Sequence, residues 1–190
     1  MNLKCSHWFP SPIWQTDLDD IDNNAIKEYA QDLKKQDEGI RASNVLGWQS
    51  KGLAQGDCEA LDHLINRLTY VVNECAKQGG LPSLTIQNAW ININTPGSSN
   101  HLHNHPGAIL SGCYYVDANK DQGNIHFERC DGGEYFLPSV EEANTFNSTS
   151  CLYASDTGIA YIFPGWLKHS VQPNRTDKDR ISIAFNYGAL

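Results

Sequence analysis

The chain has 190 residues, of which 40% are hydrophobic and 10% aromatic, a composition typical of one folded domain of ordinary size. With 14 Lys and Arg against 22 Asp and Glu, the net charge is -8, which argues against nucleic acid and anionic membranes as partners. No stretch approaches the about 18 consecutive apolar residues of a membrane span. Met1 to Trp8 lack the apolar core of a signal peptide, so we expect a cytoplasmic protein.

Two amphipathic helices are predicted in the first half of the chain. From Asp22 onward, apolar side chains recur at steps of three and four residues, and this pattern stops at Gly39. A longer apolar stripe runs over residues 57–77 and is followed by Gly79, a common residue after the end of a helix. We expect both helices to pack on the outside of a sheet.

The second half of the chain has the two-residue period of β-strands. Turn residues separate short alternating or apolar segments without helices between them, which is typical of a β-sandwich or jelly roll. We therefore predict one domain over 1–190, with a helical part at 1–82 and a jelly-roll core at 83–190. Residues 131–157 fit a strand poorly and are predicted to form an inserted long loop. The predicted strands cover residues 84–94, 109–116, 124–127, 158–163, 168–171 and 180–187.

Histidines form a candidate metal site. His101, His103 and His105 alternate along one segment, so on an extended backbone they share a face, and any two neighbours could bind one metal ion. His169 lies far along the chain and can supply a third ligand from another strand of a jelly roll. Imidazole suits Fe(II), Zn, Cu and Ni, so the ligand type alone does not choose the metal. The alternative is a surface loop in which the repeated histidines bind nothing.

An arginine near the end of the chain is a candidate anion anchor. Arg180, Ser182 and Ala184 share one face of an alternating strand. If that face points inward, the guanidinium needs an anion, because a buried unpaired charge is costly. A carboxylate held by Arg180 and Ser182 would meet this need. The alternative is a surface arginine in a screened ion pair with Asp177 or Asp179.

The order of these motifs resembles the Fe(II)/2-oxoglutarate-dependent oxygenases, and within them a small bacterial and phage branch. The resemblance runs from residue 9 to residue 186, which is nearly the whole chain. The motifs that carry it are WIN at 90–92, HNHPGA at 103–108, LSGCYY at 110–115, FPGWLKH at 163–169 and RIS at 180–182. Each motif is weak alone, and their combination is specific.

The resemblance implies a double-stranded β-helix (jelly roll) and an iron-dependent hydroxylase. It makes His103 the first iron ligand and His169 the distal one, and His105 stands where the family usually has a carboxylate. A site of three histidines would carry one negative charge less than the usual two histidines and one carboxylate. Alternatively, Asp117, Glu128 or water completes the metal shell.

The resemblance also implies a 2-oxoglutarate site. Arg180 matches the residue that pairs with the far carboxylate of the co-substrate, and Ser182 assists it. Tyr115, or its neighbour Tyr114, and Asn92 are further candidates for contact with the co-substrate.

Other interpretations of the same residues remain open at this point. One is a cupin-like metal enzyme that does not use 2-oxoglutarate, and the other is a non-catalytic jelly-roll binding module. For an oxygenase we expect a small molecule or a peptide as substrate, contacts with it from loops 43–56 and 131–157, and a possible homo-oligomer. The apolar residues expected near the mouth of the site are Trp90, Tyr114, Phe163 and Trp166.

Overall fold

The computed structural model describes residues 1, 3–6, 8–133 and 139–189. The helices are α1 (Asn23–Gln36) and α2 (Glu59–Gln78), and neither is apolar enough along its length to cross a membrane. In chain order the strands are β1 (Trp14–Asp17), β2 (Asn44–Val45), β3 (Trp48–Gln49), β4 (Thr85–Asn94), β5 (Ser99–His103), β6 (Leu110–Asp117), β7 (Ile125–Glu128), β8 (Ser150–Tyr153), β9 (Ile159–Pro164), β10 (His169–Val171) and β11 (Arg180–Gly188).

The described strands form two antiparallel sheets. The major sheet has six strands in the order β1-β9-β6-β11-β4-β3, and the minor sheet has five in the order β2-β5-β10-β7-β8. Strands that follow one another in the chain fall mostly in different sheets, as in a jelly roll. The fold is therefore mainly β with helices near the N-terminus, which confirms the predicted class.

The helices cover the outer face of the major sheet. The Asp22 side chain caps α1 by accepting a hydrogen bond from the Ala25 amide at 3.0 Å. The apolar stripes of both helices belong to one hydrophobic core with odd-numbered residues of β4 and β11, such as Ile91 and Ile183. The Tyr187 and Thr69 hydroxyls, 2.8 Å apart, add a hydrogen bond between β11 and α2.

The opposite face of the major sheet points into the jelly roll and carries polar side chains. Alternation along β11 puts its even-numbered residues on this face, because its odd-numbered ones are buried under the helices. From Arg180 to Asn186, each lies opposite an even-numbered residue of β4. The opposed pairs are Arg180 with Asn94, Ser182 with Asn92, Ala184 with Trp90, and Asn186 with Asn88.

Of the eleven described strands, β1, β5 and β8 were not predicted, and β2 and β3 lie within residues 43–50, for which the sequence allows a polar loop or a short strand. β5 and β8 carry mostly half-exposed or exposed side chains, so their sequences lack the alternation that marks a half-buried strand. β1 is a four-residue edge strand. The predicted insertion at 131–157 thus contains strand β8, while its residues 134–138 lie outside the described residues.

Candidate metal centre and adjoining cavity

Three histidines converge where the minor sheet meets the loop after β9. His103 at the end of β5 pairs directly with His169 at the start of β10. His105 lies just beyond β5, and its backbone amide donates to the Gly165 carbonyl at 2.8 Å. Gly165 allows this approach, because a Cβ there would lie 2.4 Å from the Ala108 carbonyl oxygen. One ring nitrogen from each histidine lies within 4.8 Å of the others, the only such group of possible ligands among the described residues.

Backbone carbonyls fix the tautomers of two of these rings. The Nδ1 of His103 lies 2.7 Å from the His101 carbonyl oxygen, and the Nδ1 of His169 lies 3.0 Å from that of Leu167. A carbonyl oxygen can only accept, so each Nδ1 carries the hydrogen. The Nε2 atom of each ring therefore keeps its lone pair for a metal.

A side-chain network fixes the third ring in the same way. The Nδ1 of His105 lies 2.5 Å from Asn186 Oδ1, which also accepts from the Ser111 hydroxyl at 2.7 Å. Asn186 Nδ2 donates to Asn88 Oδ1 at 2.9 Å, so its Oδ1 is the acceptor for His105. All three histidines thus offer Nε2 to a common point, an arrangement that fits a metal ion.

Burial keeps the three rings neutral, as metal ligands must be. It lowers the pKa of His103 and His105, and it lowers the pKa of His169 to about 3. The electrostatic effect of His103 depresses the pKa of His169 further in the same direction.

We expect the metal-free protein to lose stability as the pH falls below about 6.5. The folded pKa of His169 is about 3, against an ordinary value of 6.5, so unfolding takes up protons between these limits. Stability from this group is fully present above the unfolded pKa and declines through the window below it. Denaturant unfolding at several pH values measures how steeply the free energy of unfolding changes with pH. This pH dependence should be smaller in His169→Asn. A slope that is identical in this variant would contradict the prediction.

The other ligand candidates lie elsewhere. The His101 side chain is exposed and does not join the group. Asp117 forms an ion pair with Lys27 at 2.5 Å, and Glu128 lies 3.9 Å from His126. Neither carboxylate belongs to the histidine group.

A cavity inside the jelly roll joins the histidines to the predicted anion anchor. We call it the inner cavity. Its walls come from the inward faces of β4, β6, β9 and β11 and from the minor sheet. All seven predicted site residues line it: Asn92, His103, His105, Tyr115, His169, Arg180 and Ser182.

Arg180 is a buried cation with an unsatisfied donor. Its side chain is buried, with a residue exposure of 1%. Nη1 donates to the Gln122 carbonyl and, at 3.1 Å, to that of Gly123. Nη2 is buried without a hydrogen-bond partner among the described residues, as is Asn92 Oδ1. Both orphaned atoms belong to residues that line the inner cavity.

The groups near Arg180 supply no negative charge. Burial raises the pKa of Tyr115 well above its ordinary value, and it raises the pKa of Cys113 to about 12. Both groups are therefore neutral at neutral pH. No carboxylate forms an ion pair with Arg180 among the described residues, so the inner cavity has an uncompensated positive charge.

The aromatic residues expected near the site separate into two groups. Trp90 and Phe163 line the inner cavity. Tyr114 instead points to the helices, where its hydroxyl donates to Asn23 Oδ1 at 2.9 Å, so only its neighbour Tyr115 faces the cavity. Trp166 is 51% exposed and does not line the inner cavity.

Sequence reasoning did not assign a role to Asn186 or Ser111. The available signal was the alternation of β11, which puts Asn186 on the same face as Arg180. Its contact with His105 joins positions 81 residues apart, so no local pattern could reveal it.

Solved structures of low sequence identity share this fold. A prolyl-4-hydroxylase from Pseudomonas putida has a TM-score of 0.65 and 13% identity, covering 95% of this chain and 94% of that one. The viral collagen prolyl hydroxylase of Paramecium Bursaria Chlorella virus-1, solved with 2-oxoglutarate, has a TM-score of 0.63 and 14% identity over 94% and 96%. HygX from Streptomyces hygroscopicus, solved with nickel and 2-oxoglutarate, has a TM-score of 0.65 and 11% identity over 94% and 83%. At these identities the likeness shows the fold alone.

The sequence itself shows the family. Residues 88–186 match the model of a 2OG-Fe(II) oxygenase family, and this match covers more than half of the chain. The chain belongs to the 2OG-Fe(II) oxygenases, and its metal and co-substrate are Fe(II) and 2-oxoglutarate, as predicted. None of the curated proteins matches the chain significantly. Membership of this family favours an oxygenase over the cupin-like enzyme and the binding module.

We expect Asn186→Leu to weaken Fe(II) binding about 10- to 100-fold, the usual effect of removing a hydrogen-bond partner of a metal ligand. Without Asn186 Oδ1, the His105 ring loses the acceptor that orients it. Anaerobic competition with a chromophoric chelator measures the affinity. Asn88→Ala is the matched control, because Asn88 is exposed and reaches His105 only through Asn186. Equal affinities for wild type and Asn186→Leu would refute the proposed orientation.

Proposed function

We propose that the protein is a hydroxylase that couples decarboxylation of 2-oxoglutarate to oxidation of a substrate C–H bond. His103, His105 and His169 hold Fe(II) through their Nε2 atoms. Arg180 and Ser182 bind the far carboxylate of 2-oxoglutarate, while Tyr115 and Asn92 complete its pocket.

The observation that carries this proposal is the orphaned guanidinium nitrogen of Arg180. A buried cation without a counter-charge is destabilising by several kcal/mol, on the order of the penalty for an unpaired buried ion. The neutral Tyr115 and Cys113 cannot offset it. A dicarboxylate that enters the inner cavity satisfies Nη2 at one end, and its other end lies toward the histidines.

The chain's own residues bind, orient and shield. Ala184 lies on β11 between Ser182 and Asn186, and its small side chain leaves room for the co-substrate along the strand. Trp90 and Phe163 supply an apolar wall that limits water near the histidines. When bound, iron supplies the redox chemistry by which O2 is reduced, 2-oxoglutarate yields succinate and CO2, and a substrate C–H bond is hydroxylated.

The substitution of a histidine for the usual carboxylate changes the charge of the site. His105 is neutral, and its Nδ1–H donates to the side-chain oxygen of Asn186, an amide that is also neutral. A metal held by three neutral rings keeps its full positive charge, which favours Fe(II) over Fe(III) and strengthens attraction to the dianionic co-substrate.

Anaerobic titration with Fe(II) and 2-oxoglutarate tests the proposal. We expect a weak metal-to-ligand charge-transfer band in the visible that requires both components. On exposure to O2, succinate should form, at least slowly, without added substrate. Iron binding without the band would indicate a metal enzyme that does not use 2-oxoglutarate, and absence of metal binding would refute the catalytic role.

A further inference from the structure

A second, more open cavity lies directly outside the metal centre, and we call it the outer cleft. Its volume is about 640 Å³, within the range of about 300–1,000 Å³ typical of ligand sites. It shares Ser43, Trp90, His103 and His105 with the inner cavity. A molecule in the outer cleft therefore lies against the histidines that the proposed function assigns to iron.

The lining of the outer cleft carries no formal charge. Among its described lining residues there is no Asp, Glu, Lys or Arg, although the chain has 14 basic and 22 acidic residues. Once the dianionic 2-oxoglutarate offsets the charge of Fe(II), a charged ligand group would lose hydration there without gaining a counter-charge. The polar members are amides, hydroxyls and histidines, so the cleft selects an uncharged ligand that forms hydrogen bonds.

One lining residue is poised for such a hydrogen bond. Gln49 is only 6% exposed, and its side-chain amide has no hydrogen-bond partner among the described residues. Among the described residues, the buried side-chain atoms without a partner are Asn92 Oδ1 and Arg180 Nη2, so the Gln49 amide opens into the cleft, where a ligand can replace water as its partner. Asn186 and Ser50 are different, because protein partners already satisfy their side chains.

The backbone holds Gln49 in place. In the backbone register of β3 and β4, Gln49 lies opposite Asn92, so both side chains lie on the inward face of the major sheet. The backbone carbonyl of Gln49 also accepts a hydrogen bond from the Ile40 backbone amide at 2.8 Å. Its neighbour Trp48 is anchored by a hydrogen bond from Nε1 to the Asp37 carbonyl at 2.9 Å. The free amide is therefore presented by a fixed element.

An apolar surface lies beside this amide. The Trp90 ring packs against His105 with ring centroids 5.6 Å apart and lines both cavities. Ile40, Leu102 and Pro106 add apolar area to the outer cleft. A ligand that pairs with Gln49 can thus place carbon atoms over Trp90, next to the metal centre.

We propose that the outer cleft binds an uncharged amide group flanked by apolar carbon, with Gln49 as its hydrogen-bond partner and Trp90 as its apolar platform. This inference rests on the proposed function for its meaning as a substrate site. A carboxamide or peptide amide offers both a donor and an acceptor, which match the two ends of the Gln49 side chain. The amide can belong to a small molecule or to a polypeptide.

NMR titration of protein loaded with Zn(II) and 2-oxoglutarate tests the cleft. The probes are N-acetyl-leucine N-methylamide and the blocked peptide Ac-Gly-Ala-Leu-Ala-Gly-NH2, with the N-acetyl N-methylamides of lysine and aspartate as charged counterparts. We expect saturable shifts of the Trp90 indole and Gln49 carboxamide resonances with a neutral probe and much weaker ones with charged probes. Tighter binding of the peptide would identify a polypeptide substrate, and equal binding would identify a small amide.

Gln49→Leu is the decisive variant. Loss of the hydrogen bond should weaken binding of the neutral probe about tenfold. The control Gln15→Leu, at an exposed position on β1, should bind the probe as wild type does. The thermal midpoint of Gln49→Leu should stay near that of wild type, because the Gln49 amide forms no hydrogen bond to the described residues. A lower midpoint together with unchanged probe binding would show a structural role and overturn the proposal.

A parallel wild-type sample, loaded anaerobically with Fe(II) and 2-oxoglutarate, separates this proposal from the proposed function. If the Fe(II)–2-oxoglutarate band forms but no neutral amide binds, the amide proposal fails and the oxygenase proposal stands. If amides bind but the band is absent, the oxygenase proposal fails and the cleft assignment stands.

Discussion

Arg180→Leu is expected to raise the dissociation constant of 2-oxoglutarate roughly 30- to 5,000-fold, because truncating one partner of a buried charge pair costs about 2–5 kcal/mol. Arg180 is the only Arg or Lys among the described residues that line the inner cavity, and the histidines that line it are neutral. Anaerobic titration of the visible band measures the constant. Arg175→Leu is the matched control, since Arg175 is exposed on the turn before β11.

The stability of Arg180→Leu without co-substrate distinguishes a binding role from a structural one. The substitution removes an uncompensated charge, and it also removes the donor that serves the Gln122 and Gly123 carbonyls. These effects oppose each other, so the thermal midpoint should stay near that of wild type. At a concentration one hundred times its dissociation constant, 2-oxoglutarate should stabilise wild type by about 2.7 kcal/mol. Comparable stabilisation of the variant would contradict the assignment.

His169→Ala is expected to abolish tight Fe(II) binding, whereas His101→Ala should leave it unchanged. His169 belongs to the histidine group, while His101 comes from the same histidine-rich segment as His103 but lies outside the group. The loss should exceed the about 10- to 100-fold that follows removal of an outer partner. Chelator competition measures the affinity, and circular dichroism checks the fold. Equal losses in both variants would indicate nonspecific destabilisation.

His105→Asp refines this prediction. The variant restores the two-histidine, one-carboxylate set of non-haem iron oxygenases. It should retain Fe(II), and its added negative charge should lower the Fe(III)/Fe(II) reduction potential. Loss of iron from His105→Asp would show that the shorter side chain cannot reach the metal from this backbone position.

Strong alternation made the main sheet predictable. β4 and β11 are central strands with apolar residues on the helix side, so their sequences showed a clear period of two and put Arg180, Ser182 and Asn92 on one face. The two-residue spacing also favoured His103 and His105 as ligands, but it gave no reason to exclude His101, whose exposed side chain stays outside the group. The position of His169 opposite His103 depends on strand order, which the family resemblance supplied.

The remaining parts of the site depend on long-range register. Asn186 meets His105, and Gln49 meets Asn92, across strands that are distant in the chain. A propensity or period in one segment carries no information about such neighbours. Tyr114 and Tyr115 illustrate a finer limit, because adjacent residues point to opposite faces and one residue of register decides between them.

The position of β11 has a consequence for the choice of co-substrate. This strand pairs with β4 on one edge and β6 on the other, so it cannot slide without breaking two ladders. Arg180 at its start and Asn186 near its end, which orients His105, therefore keep a constant separation. Under the proposed roles, this fixed separation makes the site selective for the length of the dicarboxylic acid. We therefore expect oxaloacetate, one carbon shorter than 2-oxoglutarate, and 2-oxoadipate, one carbon longer, to bind more weakly than 2-oxoglutarate.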